Sequence, residues 1–185
     1  MAKLVSHIRA IGLADIDQYK AFLAAVARED LQLRVQGGLA EVSADAIDEL
    51  LRPNGRFGDG YGAFDADGRL LAVLRASRSA DAIEVALLTR SDHKRMGLAS
   101  ALVAHAISLA QSAKVSKLIA RTATGNVAFI AFATRVGFTA KWDALERDML
   151  LTMPIDSVTP EPPTPVPQAL DPACVATRSD AHTPM

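Results

Sequence analysis

The chain has a single cysteine, Cys174, among its 185 residues. No internal disulfide can form and no thiolate cluster can hold zinc, so a reducing, cytoplasmic setting is the expectation. Long apolar runs are missing as well. No stretch reaches the about 18 uninterrupted apolar residues that a spanning helix needs. The opening residues MAKLVSHIRAIGLADID lack the continuous apolar region of a signal peptide. Neither sign of charge dominates: 20 Lys and Arg against 21 Asp and Glu leave a net charge of −1. A nucleic-acid-binding domain is normally basic, so neither nucleic acid nor a membrane is an expected partner. The four histidines, His7, His93, His105 and His182, show no metal-ligand spacing, and no metal is expected. No Ser-His-Asp or Cys-His arrangement is evident, and Cys174 lies far along the chain. His105 falls within a helical pattern and reads as structural, while His93 reads as solvated or phosphate-facing.

Proline is scarce until late in the sequence. Pro53 stands alone, and the other eight of the nine prolines lie between Pro154 and Pro184. The run PEPPTPVPQALDP cannot form a packed element and reads as extended, solvated chain. The expected organisation is one domain over residues 1–153 and a proline-rich tail over residues 154–185. Half of the residues are hydrophobic, enough for a sizeable core.

What the chain does have is concentrated between Ile83 and Ser100, IEVALLTRSDHKRMGLAS. An apolar strand, Ile83 to Thr89, carries one carboxylate, Glu84. A basic loop with Arg90, His93, Lys94 and Arg95 follows, and Gly97-Leu98-Ala99-Ser100 opens a long helical pattern. The first turn of a helix leaves N–H groups unpaired under a positive dipole end. Small residues at 97, 99 and 100 let a phosphate approach that backbone. The Walker pattern G-x-x-x-x-G-K-[ST] and the dinucleotide pattern G-x-G-x-x-G are both absent. What remains is K-x-x-G-x-A, at Lys94, Gly97 and Ala99.

Taken in order, Lys3 to Ile11 alternates as a strand. Ala14 to Ala27 places Ile16, Tyr19, Phe22, Leu23 and Val26 at helical spacing. Glu29 to Arg34 predicts a short helical turn that Gly37-Gly38 breaks. Ser43 caps a further helix with Ile47, Leu50 and Leu51 on one face, closed by Pro53-Asn54-Gly55. Gly60 to Phe64 and Arg69 to Ser77 read as a hairpin around Asp65-Ala66-Asp67-Gly68. Ala80-Asp81 turns the chain into the strand at 83–89, giving an antiparallel meander. A helix from Gly97 to about Ser112 leads to a strand at Lys117 to Thr122, which the crossover makes parallel to 83–89. A helix from Val127 to Val136, capped by Asn126 and turning Phe129, Phe132 and Val136 inward, stops at Gly137. Strands at Phe138 to Trp142 and Glu146 to Met153 complete the order β-α-α-β-β-β-α-β-α-β-β. The fold class is α+β, mixed α/β around one sheet.

The motif K-x-x-G-x-A resembles the acyl-CoA pyrophosphate loop of the GNAT superfamily of N-acyltransferases, [RQ]-x-x-G-x-[GA]. Lys94 stands where that family usually has Arg or Gln, keeping the charge but not the planar fork. The segment N-V-A-F-I-A-F-A-T-R-V-G-F, Asn126 to Phe138, resembles the family's N-x-x-A-x-x-x-Y-x-x-x-G-F. Ala133 takes the place of the tyrosine. The likeness covers about residues 5 to 153. It is nearest to the GNAT domain of bacterial protein lysine acetyltransferases, in H-I-R-A-I-G-L-A-D, A-R-E-D-L-Q-L-R-V (Ala27 to Val35) and Arg90-Ser91-Asp92. The resemblance implies a GNAT-like acyl-CoA N-acyltransferase fold, a mostly antiparallel central sheet with helices on both faces.

It also implies an acetyl-CoA-dependent N-acetyltransferase with acetyl-CoA as co-substrate and an amine, by likeness a protein lysine, as acceptor. Glu84 occupies the position of the catalytic glutamate, 13 residues before Gly97, and is the candidate general base for direct attack. Backbone groups of Leu87, Leu88 and Thr89 would meet the pantetheine amides. N–H groups of Arg95, Met96, Gly97, Leu98, Ala99 and Ser100 would hold the pyrophosphate, with Lys94 or Arg95 adding charge. Asn126 and Phe129 would line the pantetheine arm, and Asn126 can equally serve as a plain helix cap. Ala133 leaves no general acid in the usual place. The alternatives are a small amine or amino acid as acceptor, a non-catalytic acyl-CoA-binding regulatory module, and an adaptor using the proline-rich tail. Acceptor identity and oligomeric state are not written in the sequence.

Overall fold

The computed structural model describes residues 7–32, 47, 51–53 and 58–155. The expectations for residues 3–6, Gly37-Gly38, the Ser43 cap, Asn54-Gly55 and residues 156–185 lie outside them. The elements in chain order are β1 (His7–Ile11), α1 (Ile16–Ala24), α2 (Arg28–Gln32), β2 (Asp59–Phe64), β3 (Leu70–Ser79) and β4 (Ala82–Thr89). Then come α3 (Leu98–Ser112), β5 (Lys117–Thr122), α4 (Val127–Arg135), β6 (Thr139–Asp143) and β7 (Asp148–Pro154). The predicted helix over 14–27 is shorter than its apolar spacing suggested. A 3-10 turn over Leu13–Asp15 precedes it, and it ends at Ala24.

The seven strands form one sheet in the order β1-β2-β3-β4-β5-β7-β6. Every neighbouring pair is antiparallel except β4 and β5, which are parallel, as the crossover through α3 requires. The β2–β3 hairpin is set by Asp65, whose Oδ1 accepts from the Asp67 and Arg69 N–H groups at 3.0 and 2.8 Å. Side-chain-to-backbone bonds of this kind are why aspartate favours turns.

Alternation along β4 divides the core in two. Ile83, Val85 and Leu87 face α3, where Leu98, Leu102, Val103, Ala106 and Ala110 are buried with them. Ala133 of α4 and Phe138 belong to the same layer. On the opposite face α1 buries Tyr19 and Phe22 against Phe64, Leu70 and Val73, together with Ile47 and Leu51. Phe129, Phe132 and Val136 pack only partly against the core, and the fully buried position of α4 is Ala133. Among the described residues, no helix is long and apolar enough to cross a membrane.

Candidate active site

The site begins where the sheet opens. β4 and β5 pair only over Ala82↔Lys117, Ile83↔Leu118 and Glu84↔Ile119. Beyond Glu84, β4 stays on β3 as far as Thr89↔Ala72. β5 stays on β7 as far as Thr122↔Met149. The two parallel strands therefore diverge into a wedge. From Val85 to Thr89, the β5-facing edge of β4 has no ladder partner among the described residues. Unpaired strand backbone is a template for another extended chain bearing amides, and Leu87, Leu88 and Thr89 sit on that edge.

Glu84 lies at the vertex of the wedge. Its register partner on β3 is Ser77, so its side chain leaves the sheet on the face opposite α3. It is half-buried, and its neighbour two positions on, Ala86, is exposed although Val85 and Leu87 are buried. An exposed alanine in a central strand means that this face is open beside Glu84. Among the described residues Glu84 forms no ion pair and no side-chain hydrogen bond.

At the far end of β4 a short 3-10 turn, Ser91–His93, leads into the loop before α3. Gly97 has φ 82° and caps the helix in the left-handed region, where glycine is favoured. Arg95 also adopts a positive φ, 63°. This strained conformation for a side-chain-bearing residue is often found at functional loops. The first backbone bond of α3 is Ala101 N–H to Gly97 O at 3.0 Å. The N–H groups from Arg95 to Ser100 donate to no carbonyl of the described residues. A Cβ built on Gly97 would meet nothing within 4 Å, so the space beside Gly97 is open. Unpaired amides, the dipole end of a fifteen-residue helix and open space together fit a pyrophosphate.

The charged residues of this loop are arranged less simply than the sequence suggested. Lys94 is ion-paired with Asp30 of α2, and Ser91 Oγ donates to the same carboxylate at 2.8 Å. Burial of the Asp30 carboxyl opposes its ionisation, yet the hydrogen bonds from Lys94 and Ser91 outweigh it and hold the group below the usual carboxylate range. Asp92 accepts both Arg90 Nε at 3.0 Å and Arg90 Nη2 at 2.8 Å, and His93 Nδ1 lies 2.7 Å from its Oδ1. These contacts, Arg90 first, hold Asp92 far below the ordinary range. His93 is thus tethered at one ring nitrogen. Arg95 and Met96 are exposed at the loop tip.

On the β5 side, Asn126 caps α4. Its Oδ1 accepts the Phe129 N–H at 3.3 Å and its Nδ2 donates to Thr122 Oγ1 at 2.9 Å. Thr122 is itself buried. The cap reading of Asn126 therefore holds, and one N–H of its amide is left for another acceptor. Phe129 is half-buried, with its ring centroid 6.2 Å from that of Phe132. Ala133 is buried and has no titratable group. His105 lies mid-helix on α3 with its ring centroid 4.8 Å from that of Tyr61. Burial shifts it towards the neutral form, in keeping with a structural role.

The model of the acetyltransferase (GNAT) family matches residues 27–138, a span running from α2 through the loop and α4 to Phe138. The chain belongs to this family. It is an N-acetyltransferase, and the family's co-substrate is acetyl-CoA. No curated protein matches the chain in sequence. Solved structures share the fold. The GNAT domain of S. lividans PAT is 23% identical with a TM-score of 0.72, over 80% of this chain and 89% of that one. Spermidine N-acetyltransferase from Vibrio cholerae, in complex with CoA and spermine, is 14% identical with a TM-score of 0.66, over 84% and 98%. The ribosomal-protein-S18-alanine N-acetyltransferase from Escherichia coli is 18% identical with a TM-score of 0.57, over 85% and 98%.

Glu84 lies at the vertex, Leu87 to Thr89 along the β4 edge, Lys94 to Ser100 in the loop and first turn of α3, and Asn126 and Phe129 at the start of α4, with Asn126 bonded to the end of β5. Sequence reasoning missed Asp30, Ser91 and Thr122 as the residues that hold the loop and the α4 cap.

Proposed function

We propose that the protein transfers the acetyl group of acetyl-CoA to a lysine side chain of a protein, with Glu84 as the general base. The observation that carries this reading is a carboxylate with no partner among the described residues, at the point where β4 and β5 part and beside an exposed alanine. Acetyl-CoA supplies an activated acyl carbon and a thiolate leaving group. The free edge of β4 at Leu87, Leu88 and Thr89 suits the pantetheine amides, and the N–H groups of Arg95 to Ser100 suit the pyrophosphate. Phe129 offers apolar contact to the arm, and the spare N–H of Asn126 offers it a donor.

A lysine is protonated at neutral pH and is not a nucleophile in that form. Glu84, directly or through one water, takes the proton, the amine nitrogen bonds to the acyl carbon, and the carbon–sulfur bond breaks as the new amide nitrogen gives its extra proton to solvent. Backbone N–H groups along β4 face the developing negative charge on the carbonyl oxygen. Ala133 holds no proton to give, so the departing sulfur takes one from solvent. The openness around Ala86 suits an acceptor carried on a large partner, and the sequence likeness to protein lysine acetyltransferases points the same way. Mass spectrometry of a lysine-rich test protein incubated with enzyme and acetyl-CoA should show acetyl-lysine. Acetylation of spermidine alone under the same conditions would move the acceptor to small amines.

A further inference from the structure

The loop needs positive charge beside a pyrophosphate, and the structure shows where that charge is held. Lys94 Nζ is on Asp30. Asp30 also accepts Ser91 Oγ at 2.8 Å, Ser91 Oγ accepts the Ala27 N–H at 2.8 Å, and Ser91 N–H reaches Ala25 O at 3.3 Å. The loop is thereby fastened to the junction of α1 and α2. Within the pair the Asp30 side chain is 20% exposed and that of Lys94 49%. The carboxylate is the fixed partner, and the ammonium on its flexible stem is the movable one.

We propose that Asp30 sets the affinity of this site for acyl-CoA by competing with the pyrophosphate for Lys94, an inference that rests on the acyl-CoA reading above. Two anions contend for one ammonium. The carboxylate also repels the incoming phosphates through space. Asp30 therefore weakens cofactor binding, and binding draws Lys94 away from α2. Ser91 remains on Asp30 and keeps α2 in place.

Asp30→Asn preserves the shape and an acceptor for Ser91 while removing the charge. Calorimetry at low salt should show acetyl-CoA binding about two- to fivefold more tightly to this variant than to the wild type, the range of an exposed ion pair. The gain should shrink as salt screens the pair. 3′-Dephospho-CoA keeps the pyrophosphate and should show the same gain. In a Lys94→Gln background the gain should fall by at least half. Weaker binding by Asp30→Asn, or an equal gain without Lys94, overturns the inference. A wild type that binds no acetyl-CoA overturns the acyl-CoA reading itself, a different result from a wild type that binds and a variant that gains nothing. The wild-type chain gives a test that needs no variant. By NMR the Asp30 carboxyl carbon should titrate at higher pH with acetyl-CoA than without, because Lys94 no longer supports its ionised form. An unchanged or lower titration point overturns the inference.

Discussion

Glu84 is the residue to which the proposed chemistry assigns the base, and its place in β4 separates that role from cofactor binding. It stands at the start of the β4 edge, before Leu87 to Thr89 and the loop, and its side chain leaves the sheet on the face opposite α3. Glu84→Gln should lower kcat/KM by about 10²- to 10⁴-fold, the usual contribution of a general base, with acetyl-CoA affinity almost unchanged. Steady-state rates beside calorimetry check this, and a fully active variant would remove Glu84 from the mechanism. Asn126 makes the opposite case, since its amide is spent mainly on structure. Asn126→Ala removes the α4 cap and the bond to Thr122, and should cost about 1 kcal/mol. A melting point lower by roughly 2–4 °C is the expected reading for a domain of this size.

At the scale of elements, α3 does two jobs. Its N-terminus presents the free amides, and its inner face packs on β4. Leu102 is fully buried in that face, so Leu102→Ala should cost about 2–5 kcal/mol, measured by denaturant unfolding. The joint between β1 and α1 carries a pH dependence. Arg9 donates to both oxygens of Asp15 at 2.6 and 3.0 Å, and the Gly12 N–H adds a third bond. The Arg9 hydrogen bonds are the leading cause that holds the Asp15 carboxyl below its ordinary value, against the opposing effect of burial. A carboxyl depressed in the folded state stabilises the fold while ionised. That contribution is complete above about pH 4, the unfolded value, and is lost as pH falls below it. Melting curves from pH 6 to 2.5 should therefore fall less steeply for Asp15→Asn than for the wild type. A parallel pair of curves would mean that the Arg9–Asp15 contact contributes nothing.

For the molecule as a whole, the strands and helices were legible because their signals are local. The apolar run at 83–89, the Asp65–Gly68 turn and the apolar spacing after Gly97 each specify an element within a dozen residues. The parallel setting of β5 followed from the crossover alone. The wedge was not legible, because it depends on where strand pairing stops, and nothing in Val85 or Ala120 states that. The tie between Lys94 and Asp30 spans 64 positions and arises only when α2 is brought against the loop. The exposure of Ala86 could not be read either, since an alanine between valine and leucine looks like core. The last described strand, β7, runs through Pro154, one residue beyond the expected domain, with Ile155 buried behind it. An edge or terminal position is where a strand tolerates proline.

The opened sheet and the amides before α3 together are proposed as the acyl-CoA site. The most direct test is a calorimetric titration of acetyl-CoA into the wild type and into Gly97→Trp, with circular dichroism to show that both are folded. The open space before Gly97 is where an indole would stand in place of the phosphates. Saturable binding by the wild type, lost in Gly97→Trp, is the expected result. Equal binding by a folded Gly97→Trp, or no binding by the wild type, would contradict it.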